Sequence, residues 1–409
     1  MYLKRKPKLL VALLTMVLIV AISLAGCGQK QADQKQDGSA KQTDVKTVKI
    51  AFLGPLTGAS AAQGVGARNS FELAIKEANE SKAFPYKIEM MTLDDGSNPS
   101  TGASMAQKAV ADPAVVAASG HWNSPVAEAT IPIFKNAGIP LQIWGAIGPT
   151  LTNKNNYPYI TRVCPTVPQQ TKPLAKFAID NLGVKKWAII SDTTVLGKAA
   201  LEGWKQETAA RQGVELVSID EIQVGTTDFR PILTKIKDKQ PQGIFLGLVT
   251  MEAALVTQQM AELKMDNVMV VSLSGVVEDK YIEVATPKAA EGVIGAKPGR
   301  AIAELPGGKE FIAAYEKAGY KEPMGAYGPY AYDSAKIILK ALEQVGPDKA
   351  KLVDSIAKIN YIGLLGNTSF DEIGQTKNIE ITEMVVEAGK WVLYQDSKYA
   401  KGTKIRGTN

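Results

Sequence analysis

Val48-Lys49-Ile50-Ala51-Phe52-Leu53-Gly54-Pro55-Leu56-Thr57-Gly58 is the stretch whose reading decides the fold. Its first half, β-branched and aromatic, predicts a short strand with a buried face. Its second half is a Gly/Pro/Thr loop. From about Ala61 to Glu80, Phe71, Ala74, Ile75 and Ala78 recur at i, i+3, i+4 and i+7, the period of an amphipathic helix. Working outward, the alternation repeats. Tyr86–Leu93 reads as strand, ending at Asp94-Asp95-Gly96, and Ser100–Ala111 as helix. Ala114–Ala118 is a short buried strand, Pro125–Asn136 a helix and Ile139–Ile143 a strand. The pattern restarts near Pro168 with a helix to Asn181. Trp187–Ser191, Val214–Val224, Gly243–Leu248 and Val268–Leu273 read as strands; Leu196–Gln212, Phe229–Lys237 and Met251–Leu263 read as helices between them. Lys309–Ala318 and Tyr330–Val345 are later helices. Repeated β-then-α units with Val, Ile and Leu strands predict an α/β protein of two doubly wound parallel sheets, each covered by helices on both faces.

The chain has 409 residues, 45% hydrophobic and 22% charged, which suits a globular protein of two or three domains and excludes disorder, collagen or coiled coil for its bulk. Four basic residues, Lys4, Arg5, Lys6 and Lys8, carry most of the net +6 in a segment without acids. The remainder is too nearly neutral for a nucleic-acid binder. Two Cys and one His cannot build a Cys/His zinc cluster, and only His121 is available to activate a nucleophile. Gly54-Pro-Leu-Thr-Gly58 lacks the Gly-x-Gly-x-x-Gly spacing of a dinucleotide loop, and no P-loop occurs. The Gly-x-Ser-x-Gly of an α/β-hydrolase is absent too, Leu273-Ser274-Gly275 coming nearest. No enzyme activity, cofactor or metal is therefore expected. His121 reads as structural, Asp94-Asp95 as caps for the turn and the helix after it, and Cys164 as a buried inert thiol.

Ahead of the fold stands a basic start, then seventeen uncharged residues from Leu9 to Ala25, then Leu24-Ala25-Gly26-Cys27. This describes an export signal, and Leu-Ala-Gly-Cys resembles the lipobox of bacterial lipoproteins, which implies lipid on Cys27. The alternative is an uncleaved membrane helix, for which seventeen residues is the lower limit. A lipid at Cys27 makes the mature protein anchored and extracytoplasmic. Residues 28–46 are polar and small, a flexible tether.

In open parallel sheets, ligands sit beyond the carboxyl ends of the strands. The loops there carry hydroxyls, amides and aromatics with few charges, which suits a solute gripped by hydrogen bonds and packing. The opening stretch, Asp94-Asp95, Gly120-His121-Trp122-Asn123-Ser124, Trp187-Ala-Ile-Ile-Ser-Asp192, Ala326-Tyr327-Gly-Pro-Tyr-Ala-Tyr-Asp-Ser-Ala335 and Phe370-Asp-Glu-Ile-Gly-Gln-Thr-Lys377 together resemble the type I periplasmic binding proteins, in the leucine/isoleucine/valine-binding branch. The resemblance spans roughly residues 47–400 and implies two α/β lobes joined by three hinge crossings. These are expected near Arg162–Pro165, Gly295–Pro298 and Leu365–Thr368. The implied organisation is signal peptide 1–26, tether 27–46, lobe 1 from 47–163 and 297–366, and lobe 2 from 164–296 and 367–409.

The resemblance also implies a site in the cleft. Ser124 matches a hydroxyl that grips a ligand carboxylate, at a helix start whose N–H groups suit an anion; it equally suits a cap of that helix. Tyr327 matches an aromatic lining the pocket, and Gly145 a backbone carbonyl acceptor. Asn123, Trp122, Ala146 and Gln63 are expected around them. Trp122 and Trp144 suit either the pocket or the core. Ile147 stands where amino-acid binders carry a hydroxyl, and Leu196 where they often carry Tyr. Ser274 stands near the acid that holds an ammonium, unless the register is displaced and Glu278 or Glu252 supplies it. Ser97 and Asn123 take the places of a disulfide. A buried, unpaired ammonium is costly, so a carboxylate with an apolar body, or an amide, fits better than a zwitterion.

The implied function is an importer's solute receptor: it binds a branched-chain or other hydrophobic amino acid or a related carboxylate, then docks on ABC permease subunits, as a monomer. The alternative is a same-fold sensor for an amide, urea or aromatic acid.

Overall fold

The computed structural model describes residues 47–408 apart from Ala59. The expected export signal, the Cys27 lipidation site and the tether lie outside the described residues. Among the described residues no helix is long and apolar enough to cross a membrane.

The first sheet holds β1 (Thr47–Gly54), β2 (Lys87–Asp94), β3 (Val115–Ser119), β4 (Leu141–Ile143) and β5 (Ile160–Arg162), all parallel, in the order β2-β1-β3-β4-β5. Helices α1 (Ala61–Glu80), α2 (Pro99–Ala111) and α3 (Ser124–Asn136) follow β1, β2 and β3. Successive residues of β1 point to opposite faces. Ile50 and Phe52 therefore pack with Phe71 and Ala74 of α1, while Ala51 and Leu53 pack with Ala106 of α2 and Ala127 of α3. This is why β1 reads as a continuous apolar run: both faces are covered.

After α4 (Val167–Ala175) come β6 (Lys186–Asp192), α5 (Val195–Ala209), β7 (Glu215–Ile222), α6 (Arg230–Asp238), β8 (Gly243–Gly247), α7 (Thr250–Glu262), β9 (Met269–Ser272), α8 (Asp279–Ala285), α9 (Pro287–Ala290) and β10 (Ile294–Pro298). α10 (Gly308–Lys317), α11 (Gly328–Val345) and α12 (Lys349–Ala357) then precede the hairpin β11 (Asn360–Gly363) and β12 (Gly366–Ser369). β13 (Ile381–Glu387) and β14 (Lys390–Leu393) complete a second sheet, β14-β13-β10-β9-β8-β6-β7. Its centre is parallel, but β13 runs antiparallel to β10 and β14 antiparallel to β13. The second sheet is thus mixed.

The chain has three passages between the sheets. Arg162 ends β5. Gly295–Pro298, expected as a crossing, is strand β10, and the chain leaves its sheet only beyond Pro298. Gly295 is required inside that strand: a Cβ there would stand 2.5 Å from Val277 and 3.2 Å from Trp391. The expected boundary at 366/367 falls inside β12, which pairs with β11. Asp333 of α11 accepts the N–H groups of Leu364 and Leu365 and so holds this hairpin to the first sheet's helices. The last passage runs through residues 370–380.

Candidate functional site

A cavity of about 340 Å³ lies at the carboxyl ends of strands from both sheets. Ser97 to Pro99 enter it after β2, Trp122 to Pro125 after β3, and Gly145 and Ile147 after β4. From the second sheet come Asp192, Thr194 and Leu196 after β6, Val224 after β7, Leu248 and Val249 after β8, and Leu273 to Gly275 after β9; Tyr327 enters from the start of α11. A wider opening of about 940 Å³ lies at the amino ends of β8 and β9 against Lys404–Thr408, away from these loops.

Eight of the expected residues meet here: Trp122, Asn123, Ser124, Gly145, Ile147, Leu196, Ser274 and Tyr327. Two do not line it. Ala146 is fully buried behind the wall, its N–H on the His121 carbonyl and its own carbonyl accepting from Arg162. Gln63 sits in the first turn of α1, outside the cavity's lining. Its amide is buried beside Gly325 and faces Glu278, whose charged form it favours.

Ser124 does not cap its helix. It is the first residue of α3, Asn123 being the cap position without a side-chain bond, and its Oγ accepts the Gly148 N–H at 3.0 Å. Tyr327 Oη and Ser274 Oγ meet at 2.6 Å, joining the start of α11 to the end of β9. The Tyr327 ring stands edge-on to Trp122 at 4.7 Å. Trp144 belongs to the core, stacked between Phe52 and Trp122 with its indole N–H on the Leu53 carbonyl. Gly145 is required beside Trp122, whose ring would stand 2.8 Å from a Cβ.

Behind this wall lies a buried polar cluster. His121 Nδ1 meets Asp95 Oδ2 at 2.7 Å, its Nε2 meets Thr130 Oγ1 at 2.9 Å, and its carbonyl accepts from both Gly145 and Ala146. His121 is structural, as its sequence setting suggests, and its partner is Asp95. Asp94 caps the turn, accepting from Leu56, Thr57 and Gly96. The cap of α2 is Asn98, not an aspartate. Cys164 is buried, and desolvation pushes its thiol up to about 12, so it is inert at neutral pH.

Neither acid considered as an ammonium partner lines the cavity. Glu252 accepts from the Gly225 N–H, and Glu278 accepts from Thr250 Oγ1 at 2.5 Å, its carboxyl raised by burial. The acid that does line it is Asp192, which the sequence pattern alone did not single out. Its position at the carboxyl end of a buried strand was the available signal. Burial also raises its carboxyl, and Oδ1 accepts from the Thr194 N–H and hydroxyl. Two cavity residues carry buried oxygens without partners, Ser97 Oγ and Asn123 Oδ1. Among the described residues no basic side chain lines the cavity, but α2, α3, α5, α7 and α11 all begin at its wall. Each brings the partial positive charge of a helix N-terminus.

The family model described as periplasmic binding protein matches residues 47–386. The leucine-, isoleucine-, valine-, threonine- and alanine-binding protein of Pseudomonas aeruginosa is 26% identical over 338 residues, 82% of this chain and 89% of that protein. Leu/Ile/Val-binding protein homolog 2 of Brucella abortus is 28% identical over 335 residues, 81% of this chain and 88% of that one. Among solved structures, the branched-chain amino acid transporter substrate-binding protein LivJ of Streptococcus pneumoniae, in complex with isoleucine, superposes with a TM-score of 0.78 at 24% identity, covering 85% of this chain and 98% of that one. An ABC-transporter solute-binding protein from Rhodopseudomonas palustris BisB5, in complex with 3,4-dihydroxybenzoic acid, gives 0.73 at 26% identity, covering 84% and 93%. Two wound sheets meeting at one cavity and a family match across both of them agree: the chain belongs to the periplasmic binding proteins, a family of transporter solute receptors.

Proposed function

We propose that this chain captures a small monocarboxylate with an apolar body and presents it to an ABC permease. The reading places the first sheet with α11 and α12 in one lobe and the second sheet in the other, with the solute closing the cleft between them. It places the protein outside the cytoplasm, tethered by lipid at Cys27, acting as a monomer with no cofactor and no chemical conversion of the solute.

The observation that carries the reading is the cavity's charge inventory. Among the described residues, five helices begin at its wall, no basic side chain lines it, and the single acid has one carboxylate oxygen engaged by Thr194. Such a site favours an anion over a cation. Trp122, Ile147, Leu196, Leu248 and Leu273 supply an apolar enclosure for the rest of the ligand. The relatives support this class: one is named for leucine and other amino acids, and one solved neighbour holds a dihydroxybenzoate. A hydrophobic amino acid is accommodated where Asp192 takes its ammonium.

The test is a thermal-shift screen followed by calorimetry with leucine, 4-methylpentanoate, benzoate, 4-hydroxybenzoate and benzamide. A ligand bound only by the native state raises the melting point. The carboxylates are expected to do so, with 4-methylpentanoate binding at least as tightly as leucine. Response to benzamide and to none of the acids would overturn the reading.

A further inference from the structure

We propose that Arg162 is the counter-charge for an anionic occupant of the cavity, a positioning residue that acts through the Ala146–Gly148 wall and ties that wall to the 371–376 segment between the sheets. The proposal rests on the carboxylate reading above.

Arg162 ends β5 and is fully buried. Its guanidinium donates to four uncharged acceptors: the Ala146 carbonyl at 3.1 Å, the Gly148 carbonyl at 2.5 Å, Thr152 Oγ1 at 2.9 Å and Gln375 Oε1 at 2.6 Å. Among the described residues no carboxylate pairs with it. Asp371 acts on it through space, its Oδ1 accepting from the Ile373 and Gln375 N–H groups. Its neighbours Cys164 and Tyr327 are neutral, their ionisation suppressed by burial. A buried cation with no carboxylate bonded to it, and only Asp371 acting on it through space, is under-compensated, and this one stands directly behind a wall whose front, Gly145 and Ile147, faces the cavity.

The wall's geometry relays the charge. The Ala146 carbonyl shares a peptide unit with the Ile147 N–H, and that N–H has no hydrogen-bond partner among the described residues. A cation on the carbonyl polarises the unit and strengthens the free N–H as a donor. The Gly148 N–H is fixed on Ser124 Oγ, so the wall and the start of α3 move as one. On the other side, Arg162 N–H donates to the Gly374 carbonyl, Thr376 N–H donates to the Arg162 carbonyl, and Gln375 Nε2 donates to the Cys164 carbonyl. Arg162, at the start of the first passage, thus connects the cavity wall to the last passage through its side chain and its backbone.

The experiment compares probes that differ in charge at nearly constant shape: benzoate with benzamide, and 4-methylpentanoate with its amide. Affinities are measured by calorimetry for the wild type, Arg162→Gln and Arg162→Lys. The wild type is expected to prefer the acids. In Arg162→Gln that preference falls about tenfold or more, and in Arg162→Lys it returns to within about threefold while both affinities drop. Equal losses for acid and amide in Arg162→Gln would leave only structural support and overturn the proposal. Should Arg162→Gln not fold, Arg162→Lys decides, since loss of the acid preference there overturns it. Wild type binding neither acid would sink the carboxylate reading and this proposal together; acids bound with a preference indifferent to residue 162 would sink this proposal alone.

Discussion

Asp192 is, among the described residues, the one formally charged side chain on the cavity wall, and burial holds its carboxyl above the ordinary value. Its effect on binding therefore depends on what the ligand carries. Asp192→Asn keeps an oxygen for Thr194 and removes the charge, so 4-methylpentanoate is expected to bind as well or better and leucine less well. Calorimetry on the two ligands checks it, and a parallel change in both would remove Asp192 from ligand discrimination. Tyr327→Phe deletes the partner of Ser274 Oγ in a fully buried setting. An orphaned buried hydroxyl costs about 1–3 kcal/mol, to be read as a lower urea midpoint at unchanged m-value. Asp333 gives a pH signature. Desolvation pushes its carboxyl up to about 7 in the folded protein, against an ordinary value of 3.8. Between about 4 and 7 the native state thus holds a proton that the unfolded chain has released, and stability falls as pH rises through that window. Asp333→Asn is expected to flatten this fall in urea titrations at pH 4, 5.5 and 7. Which residues face the cavity is largely legible in the sequence, because loops after strands carry the site in this architecture. Gln63 and Ala146 stand outside the lining, one in the first turn of α1 and the other between Gly145 and Ile147, which do line it. Periodicity does not reach that scale.

Elements follow the apolar period wherever they are long enough to show one. α1 spans Ala61–Glu80, the range that the Phe71/Ala74/Ile75/Ala78 row predicts, and β6 and β8 appear within a residue or so of their expected bounds. β5 is three residues, Ile160-Thr161-Arg162, and carries no alternation to read. β10 reads as a crossing because Gly295 and Pro298 look like loop residues. They are tolerated in the strand because Val277 and Trp391 fill the space a side chain would need, and because Pro298 is its last residue. Caps are similarly hidden, since an aspartate and an asparagine three residues apart compete for one helix start and only the backbone path selects between them. The start of α4 is clearer. Thr166 Oγ1 accepts the Gln169 N–H at 3.3 Å and Gln169 Oε1 accepts the Thr166 N–H at 2.8 Å, a reciprocal capping box. Thr166→Ala is expected to cost about 1 kcal/mol. Because Gln169 also stands 3.4 Å from Gln375 Nε2, the loss falls on the helix that follows the first passage. Denaturant unfolding measures it, and a stability unchanged within error would mean that the box adds nothing to this helix.

At the scale of the whole molecule, groups of the two halves that meet around the cavity include the Tyr327–Ser274 hydroxyl pair, Gln63 facing Glu278, and the approach of Gly148 to the start of α5. Gly148 matters because a Cβ there would stand 2.9 Å from Val195 Cγ1 and 3.1 Å from the Ser124 side chain. Contacts this close force something to shift. A two-lobed receptor has a soft coordinate available, rotation of one lobe from the other, which relieves the closer clash, with Val195 of α5, while the contact with Ser124 in the same lobe is met by a local shift. A ligand that touches both lobes favours the closed arrangement by its differential affinity, and a wedge at the seam subtracts from that difference. Gly148→Leu is therefore expected to keep near-native thermal stability without ligand while weakening the best carboxylate by about tenfold or more. It should also abolish the ligand-induced fall in radius of gyration that the wild type is expected to show in X-ray scattering. The scattering arm separates the wedge from damage to Ser124: a variant that binds weakly yet still compacts at saturating ligand has lost a contact, whereas one that stays extended when occupied has lost closure. Compaction at saturation would refute the seam argument, because the lobes would then meet with the added side chain between them.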